Sequence, residues 1–373
     1  MVQPGRGNNT LGAVAQVETS IAQDSSTARK KVGAQQFVRV DAQAMDLRLS
    51  NRASTAGGFF SRAEALDCGY NDRDIRAAIR AGEWVRVKRG FFVHSRNWAT
   101  LNKEEQHVVR ARIAYAQYGD VIVFSHHTSC AIRKIDLWGH DLTTVTTTRL
   151  DGGSGRNEAG VHHHVGNVDP DRDVEMVDGL PVTIAERGLW ESALETSTEG
   201  AVVSFDSGMH RGATTPEGLA SIASLFDRWP RSRHVRLALR LADGLSESVG
   251  ESRTRFMCWA YQLPKPTLQF EVRDSSGVLI GRCDFAWEEY RHLGEFDGLV
   301  KYQRSWRKGE DASATVIREK TREDLLRAEL WGMSRLIWLA LQRRRQHETV
   351  LALIRDLDRS RQLFTRNRCT ISL

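Results

Sequence analysis

Gly281-Arg282-Cys283-Asp284-Phe285-Ala286-Trp287 and, just beyond it, Leu293-Gly294-Glu295-Phe296-Asp297-Gly298 decide how the last third of this chain is read. Both are short strand-like runs that carry carboxylates. Successive strand side chains alternate faces, so Glu295 and Asp297 point the same way. If the runs pair as neighbouring strands, Asp284 joins them. Three carboxylates crowded at strand ends repel one another unless a divalent cation neutralises them. Oxygen-only ligation suits magnesium or manganese. Such a site serves phosphodiester chemistry, where the metal activates water and stabilises the leaving oxygen. The competing reading is electrostatic: Arg255, Arg282 or Arg322 could pair with the acids and hold the sheet edge without a metal.

The surrounding residues, 246–345, read as helix, three strands, helix, strand. Glu251 lies in the first helix, which Leu263-Pro264-Lys265-Pro266 breaks near Gln262. Leu268–Val272 is a strand and Asp274-Ser275-Ser276-Gly277 a turn. A helix from about Val316 carries Lys320 and ends at Trp331-Gly332, and Arg335–Leu339 is the fourth strand. Residues 346–373 form a last helix and a basic tail.

At the front, residues 1–54 are polar and short of aromatics, so they predict a disordered extension. Met45 is a candidate true initiator. From 55 to 98 the pattern changes. Ser61-Arg62-Ala63-Glu64 is a capping box that opens a helix, stopped at Cys68-Gly69. Asn71 caps a second helix running to Ala81, with Ile75 and Ile79 as its buried stripe. Arg73, Arg76 and Arg80 line another face. Trp84–Val93 then alternates apolar residues with Arg86, Lys88 and Arg89 around Gly90, as a basic hairpin does. Two short helices and a basic hairpin make a winged helix-turn-helix, whose second helix would enter the major groove of double-stranded DNA while the hairpin touches phosphate or minor groove. The bland alternative is a small α/β domain whose arginines merely solvate a surface.

Residues 99–245 read as a central α/β region. A helix near Lys103–Gln117 precedes the buried strand Val121–Phe124, and Ser125 is placed to cap the next helix. Further strands are expected at Leu142–Thr148, Gly160–Val165 and Val174–Val177, with a turn at Asp178-Gly179. Thr183-Ile184-Ala185-Glu186 is a second candidate capping box. His162-His163-His164 are consecutive, so in one strand they cannot all face one ion, and no neighbouring Glu or Cys completes a set. They read as a solvated strand. Ser125 and His126 lack an acid partner for a nucleophilic triad. The basic stretch 231–245 fits either a solvated or a phosphate-contacting helix.

The 373 residues leave room for two or three domains, and the net charge of +6 favours an anionic partner. Five scattered cysteines form no C-x-x-C pair, which points to a reduced, cytoplasmic compartment rather than a disulfide frame. No apolar run is long enough to span a membrane.

The order helix-acid, strand-Asp, strand-Glu-x-Asp-Gly resembles the PD-(D/E)XK nuclease superfamily, in a branch with a very-short-patch-repair-like endonuclease fold. Gly57 to Val93 resembles the winged-helix domain of AbiEi-type antitoxins of type IV toxin–antitoxin systems. The middle, with Ser125-His126 and Val177-Asp178-Gly179-Leu180-Pro181-Val182-Thr183, resembles the rest of that antitoxin-like family. These resemblances imply a multidomain α/β chain: winged helix, central antitoxin-like domain and restriction-endonuclease-like domain. They imply a DNA-binding autoregulator that opposes a toxin encoded nearby without forming a stable complex with it, in toxin–antitoxin or phage-defence biology. They also imply, as the alternative, a Mg2+- or Mn2+-dependent endonuclease. Asp284 and Glu295 would be its metal ligands, Asp297 a third, and Glu251 a helical acid acting through water. The superfamily's lysine two residues after the glutamate is Asp297 here, so Lys301 or Lys320 would have to stabilise developing charge in its place.

Overall fold

The computed structural model describes residues 45–298 and 312–364. It is a mixed α/β protein with three sheets among the described residues. The chain divides into two compact units between Asn102 and Lys103.

The first unit opens with a helix, α1, over residues 45–55. Residues 45–54 are therefore helical rather than disordered. Leu49 and Ala53, one turn apart, bury against Phe60, Ile75 and Trp84, and that packing supplies the apolar area that composition alone conceals. The disorder expected for 1–44 lies outside the described residues. There follow β1 (Phe60–Ser61), α2 (Arg62–Asp67), α3 (Asp72–Arg80), β2 (Trp84–Lys88), β3 (Phe91–His94) and α4 (Ser95–Trp98). Both α2 and α3 start with reciprocal capping boxes, Ser61 with Glu64 and Asn71 with Asp74. Gly69 and Gly82, at φ +102° and +73°, turn the chain away after each helix. The strands form one sheet in the order β1-β3-β2. Trp84 fixes the hairpin to the helices, its ring edge-on to Phe60 at 4.8 Å and to Tyr70 at 5.0 Å.

The second unit starts with α5 (Lys103–Tyr118), β4 (Ile122–Phe124), α6 (His126–Ile132), β5 (Val145–Arg149), β6 (Arg156–Glu158), β7 (Val161–His164), α7 (Pro170–Asp173), β8 (Val174–Val177) and β9 (Leu180–Thr183). These strands make a mixed sheet in the order β6-β7-β5-β4-β9-β8. Four helices complete this part: α8 (Ala185–Glu195), α9 (Thr198–His210), α10 (Pro216–Ser221) and α11 (Ser232–Leu241). Their apolar faces share a core with α6, centred on Leu189, Trp190, Phe205 and Phe226. The capping box expected at Thr183 does not form. β9 runs on to Thr183, whose hydroxyl bonds to Ser129 of α6, and α8 starts after Ile184 with no side-chain cap.

The chain continues as α12 (Val249–Ala260), β10 (Thr267–Arg273), β11 (Leu279–Trp287), β12 (His292–Asp297), α13 (Ala312–Ala328), β13 (Gly332–Ile337) and α14 (Gln346–Phe364). The sheet order is β10-β11-β12-β13, with β12 and β13 parallel and the other pairs antiparallel. Phe285, Phe296 and Leu336 pack with Met257 of α12 and with Leu353 and Leu357 of α14. Cys283, Leu293 and Leu326 of α13 belong to a separate cluster. The boundary read at 245/246 is bridged by two ion pairs, the first of them buried. Arg255 of α12 donates to Asp206 of α9 at 2.5 Å, and Arg253 donates to Glu199 at 2.8 Å while its guanidinium lies 3.8 Å from the centroid of the Trp138 ring.

Candidate functional site

The basic face of the first unit is built by α3. Ile75 and Ala78 of this helix are buried, which leaves Arg73, Arg76 and Arg80 exposed on the opposite side. Asp72, at the start of α3, is engaged by Arg62 at 2.7 Å. The hairpin adds exposed Arg86 and Arg89. Lys88 departs from the expected alternation. The β2–β3 ladder shifts register between Arg86 and Lys88, and the bulge leaves Lys88 half-buried rather than out on the open face.

The acidic set lies in the second unit. Asp284 on β11 and Glu295 on β12 come from neighbouring antiparallel strands, as the two runs predict. Both accept from protein groups, as the electrostatic reading has it for Glu295. Asp284 Oδ2 accepts the amide of Phe296 at 2.8 Å. Glu295 Oε1 accepts from Arg322 at 2.5 Å, and Arg335 stands 3.9 Å from its other oxygen. Glu251 caps the start of its own helix. It accepts from the Ser248 hydroxyl at 2.7 Å, the Glu247 amide at 2.9 Å and the Gln269 side chain at 2.8 Å. Burial raises the Glu251 carboxyl, the nearby Asp284 charge adds to the rise, and the Glu247 amide and Ser248 hydroxyl oppose it. Asp297 is half-buried at the end of β12, Lys320 is exposed on α13, and Lys301 lies outside the described residues.

Among the described residues, Glu251, Asp284, Glu295 and Asp297 supply no trio of ligand atoms within 4.8 Å of one another. The arginines of α13 and β13 supply the positive charge instead. Of the three arginines weighed for ion pairing, Arg322 takes that part; Arg255 binds Asp206 and Arg282 binds Glu247.

The structure corrects the reading of the central histidines. His163 is fully buried beneath Tyr118, its Nδ1 on the Thr147 hydroxyl at 2.9 Å, so β7 is not a solvated strand. His164 faces His126, the rings stacked with centroids 3.8 Å apart. The carboxylate judged missing is Glu195, at the end of α8, which reaches His126, His127 and His164. Ser125 occupies the N-cap position of α6 without capping it; its oxygen faces His126 Nδ1 at 2.9 Å and accepts from Thr148 at 3.0 Å. An open cleft of about 570 Å³ adjoins, lined by His127, His140, Asp141, Glu158, His162 and Glu195 among others. No local spacing connects His126, His164 and Glu195. The one sequence signal for them was the density of histidine between 126 and 164.

Comparison with known proteins bears on the first unit above all. Residues 48–93 match a family model described as a transcriptional regulator, AbiEi antitoxin. The match spans α1 through β3 and so includes every candidate DNA-contacting residue. Two relatives, uncharacterized proteins of Mycobacterium tuberculosis strains CDC 1551 / Oshkosh and ATCC 25618 / H37Rv, are each 27% identical over 282 residues. Each alignment covers 74% of this chain and 96% of the relative. No helix among the described residues is long and apolar enough to cross a membrane.

Proposed function

We propose that this protein is an antitoxin-like transcriptional regulator whose first unit is a winged helix that binds double-stranded DNA. The observation that carries the reading is the exposed row Arg73, Arg76 and Arg80 on a helix with a reciprocal N-terminal capping box, inside the segment that matches the regulator family. In that reading α3 enters the major groove and the hairpin arginines Arg86 and Arg89 lie over phosphates. Lys88, drawn inward by the bulge, plays a smaller part. The operator lies beside the protein's own gene, and a toxin encoded nearby is the functional partner.

Binding of the full chain to a duplex from its own upstream region, measured across a salt series, tests this. Affinity should fall steeply with salt. Replacing Arg73, Arg76 and Arg80 with alanine should weaken binding at least tenfold. The log–log salt slope should flatten by about 0.9 for each phosphate that the variant no longer neutralises. Unchanged binding by a folded triple variant would overturn the assignment of α3.

The runner-up reading is a magnesium-dependent endonuclease. The juxtaposition of Asp284 and Glu295 on adjacent strands favours it, and the Arg322 pairing of Glu295 weighs against it. The same duplex incubated with Mg2+, Mn2+ or EDTA separates the two. No cleavage is expected; metal-dependent cleavage that Asp284→Ala abolishes would make this an endonuclease with a DNA-targeting front end.

A further inference from the structure

We propose that His126, His164 and Glu195 form a binding site for a divalent transition-metal ion of the zinc class. The Nε2 atom of His126 stands 3.9 Å from Glu195 Oε1, and the Nε2 atom of His164 stands 3.5 Å from the same oxygen. All three ligand atoms lie within 4.8 Å of one another, and no other such group occurs among the described residues. These separations are too long for hydrogen bonds, which end near ~3.2 Å. They are close to what a central ion requires: bonds of about 2.0–2.1 Å in tetrahedral geometry put ligand atoms about 3.4 Å apart. The two rings, stacked 17° from parallel, must also turn for both lone pairs to converge on one ion.

A second observation points to a missing partner. His164 Nε2 is buried and has no hydrogen-bond partner, although it is turned toward Glu195 and the stacked ring of His126. An orphaned buried imidazole nitrogen is costly unless something binds it.

The non-ligating atoms of two of the residues are already held. His126 Nδ1 faces the Ser125 oxygen at 2.9 Å, and with the proton there Nε2 presents its lone pair. Ser125 is in turn fixed by the Thr148 hydroxyl at 3.0 Å. Glu195 Oε2 bonds to His127 Nδ1 at 3.1 Å, which leaves Oε1 for the ion. Glu191, held by Arg187 at 2.8 Å, receives the His126 amide and pins the turn at which His126 adopts a φ of +53°. The strain of a non-glycine residue there is tolerated because several contacts fix it. Two imidazoles and one carboxylate suit zinc, cobalt or iron(II) better than magnesium. Three protein ligands leave a coordination position open, and Glu195 links the site to the neighbouring cleft.

The test is titration of the metal-stripped full chain with Co2+, read by its visible d–d absorption, followed by displacement with Zn2+. One Co2+ per chain is expected, with nitrogen–oxygen bands and no sulfur-to-cobalt charge transfer, which excludes the buried cysteines as ligands. His164→Gln should abolish the bands with an unchanged far-UV dichroism spectrum. Ser125→Ala should keep them and weaken affinity about 10–100-fold. His210→Ala, at an exposed site outside the cluster, should match the parent. Absence of bands in the parent, or equal titration by parent and folded His164→Gln, would overturn the proposal. If His164→Gln does not fold, Glu195→Gln is read in its place by the same criterion.

Discussion

Asn71 accepts the amides of Arg73 and Asp74 at 2.9 and 3.1 Å, and the Asp74 carboxylate accepts the Asn71 amide at 3.0 Å. This reciprocal cap holds the first turn of the helix that carries the three arginines. Asn71→Ala should cost about 1 kcal/mol of stability in the first unit, measured as a lower denaturation midpoint for that unit. The cap was legible from sequence because both partners lie within one turn and their geometry is set locally. Glu251 shows the opposite case. Its bond to the Ser248 hydroxyl is local, but the donation from Gln269 and the electrostatic coupling to Asp284 come from strands far along the chain. Nor could spacing reveal that Arg322, on α13, takes Glu295.

At the scale of elements, α12 lies so close to β12 that Gly250 has no room for a side chain. A Cβ there would fall 2.0 Å from a carbon of the Phe296 ring. Gly250→Ala should therefore destabilise the second unit by about 1–3 kcal/mol through overpacking, read as a drop in the urea midpoint. An unchanged midpoint would show that the ring swings aside freely. The order of elements around this close approach was legible, since 3.6- and 2-residue apolar periods are written in consecutive residues. Deviations from those periods were not. The register shift after Arg86 depends on how β3 pairs with β2, and the helix at 45–55 owes its burial to Phe60 and Trp84.

The molecule as a whole buries neutral histidines. His292, between Ser360 and Ser334, is pushed down to about 4 by burial against the opposing pull of Asp356. His107, between the Leu142 carbonyl and Thr128, is pushed down to about 3 by burial and the nearby His127. The unfolded chain takes up these protons near pH 6.5. The folded chain does so only below about 4, so between those values the unfolded state binds more protons. Their contribution is complete above pH 6.5 and is lost as pH falls. Each histidine adds a slope of about 1.4 kcal/mol per pH unit across its window. Denaturation midpoints followed by tryptophan emission should fall from pH 7 to pH 4.5, less so in a folded His292→Gln variant; a flat profile would refute burial of the neutral rings. The sequence by itself determined α2, α3 and the hairpin of the first unit, the caps of the two helices and the arginines of the basic face, because each depends on neighbours within a few residues. Only the tertiary structure decided which carboxylates meet arginines and which histidines meet a carboxylate. Those encounters join residues such as Glu295 with Arg322 and His126 with Glu195, and the backbone must close long loops before electrostatics can act between them.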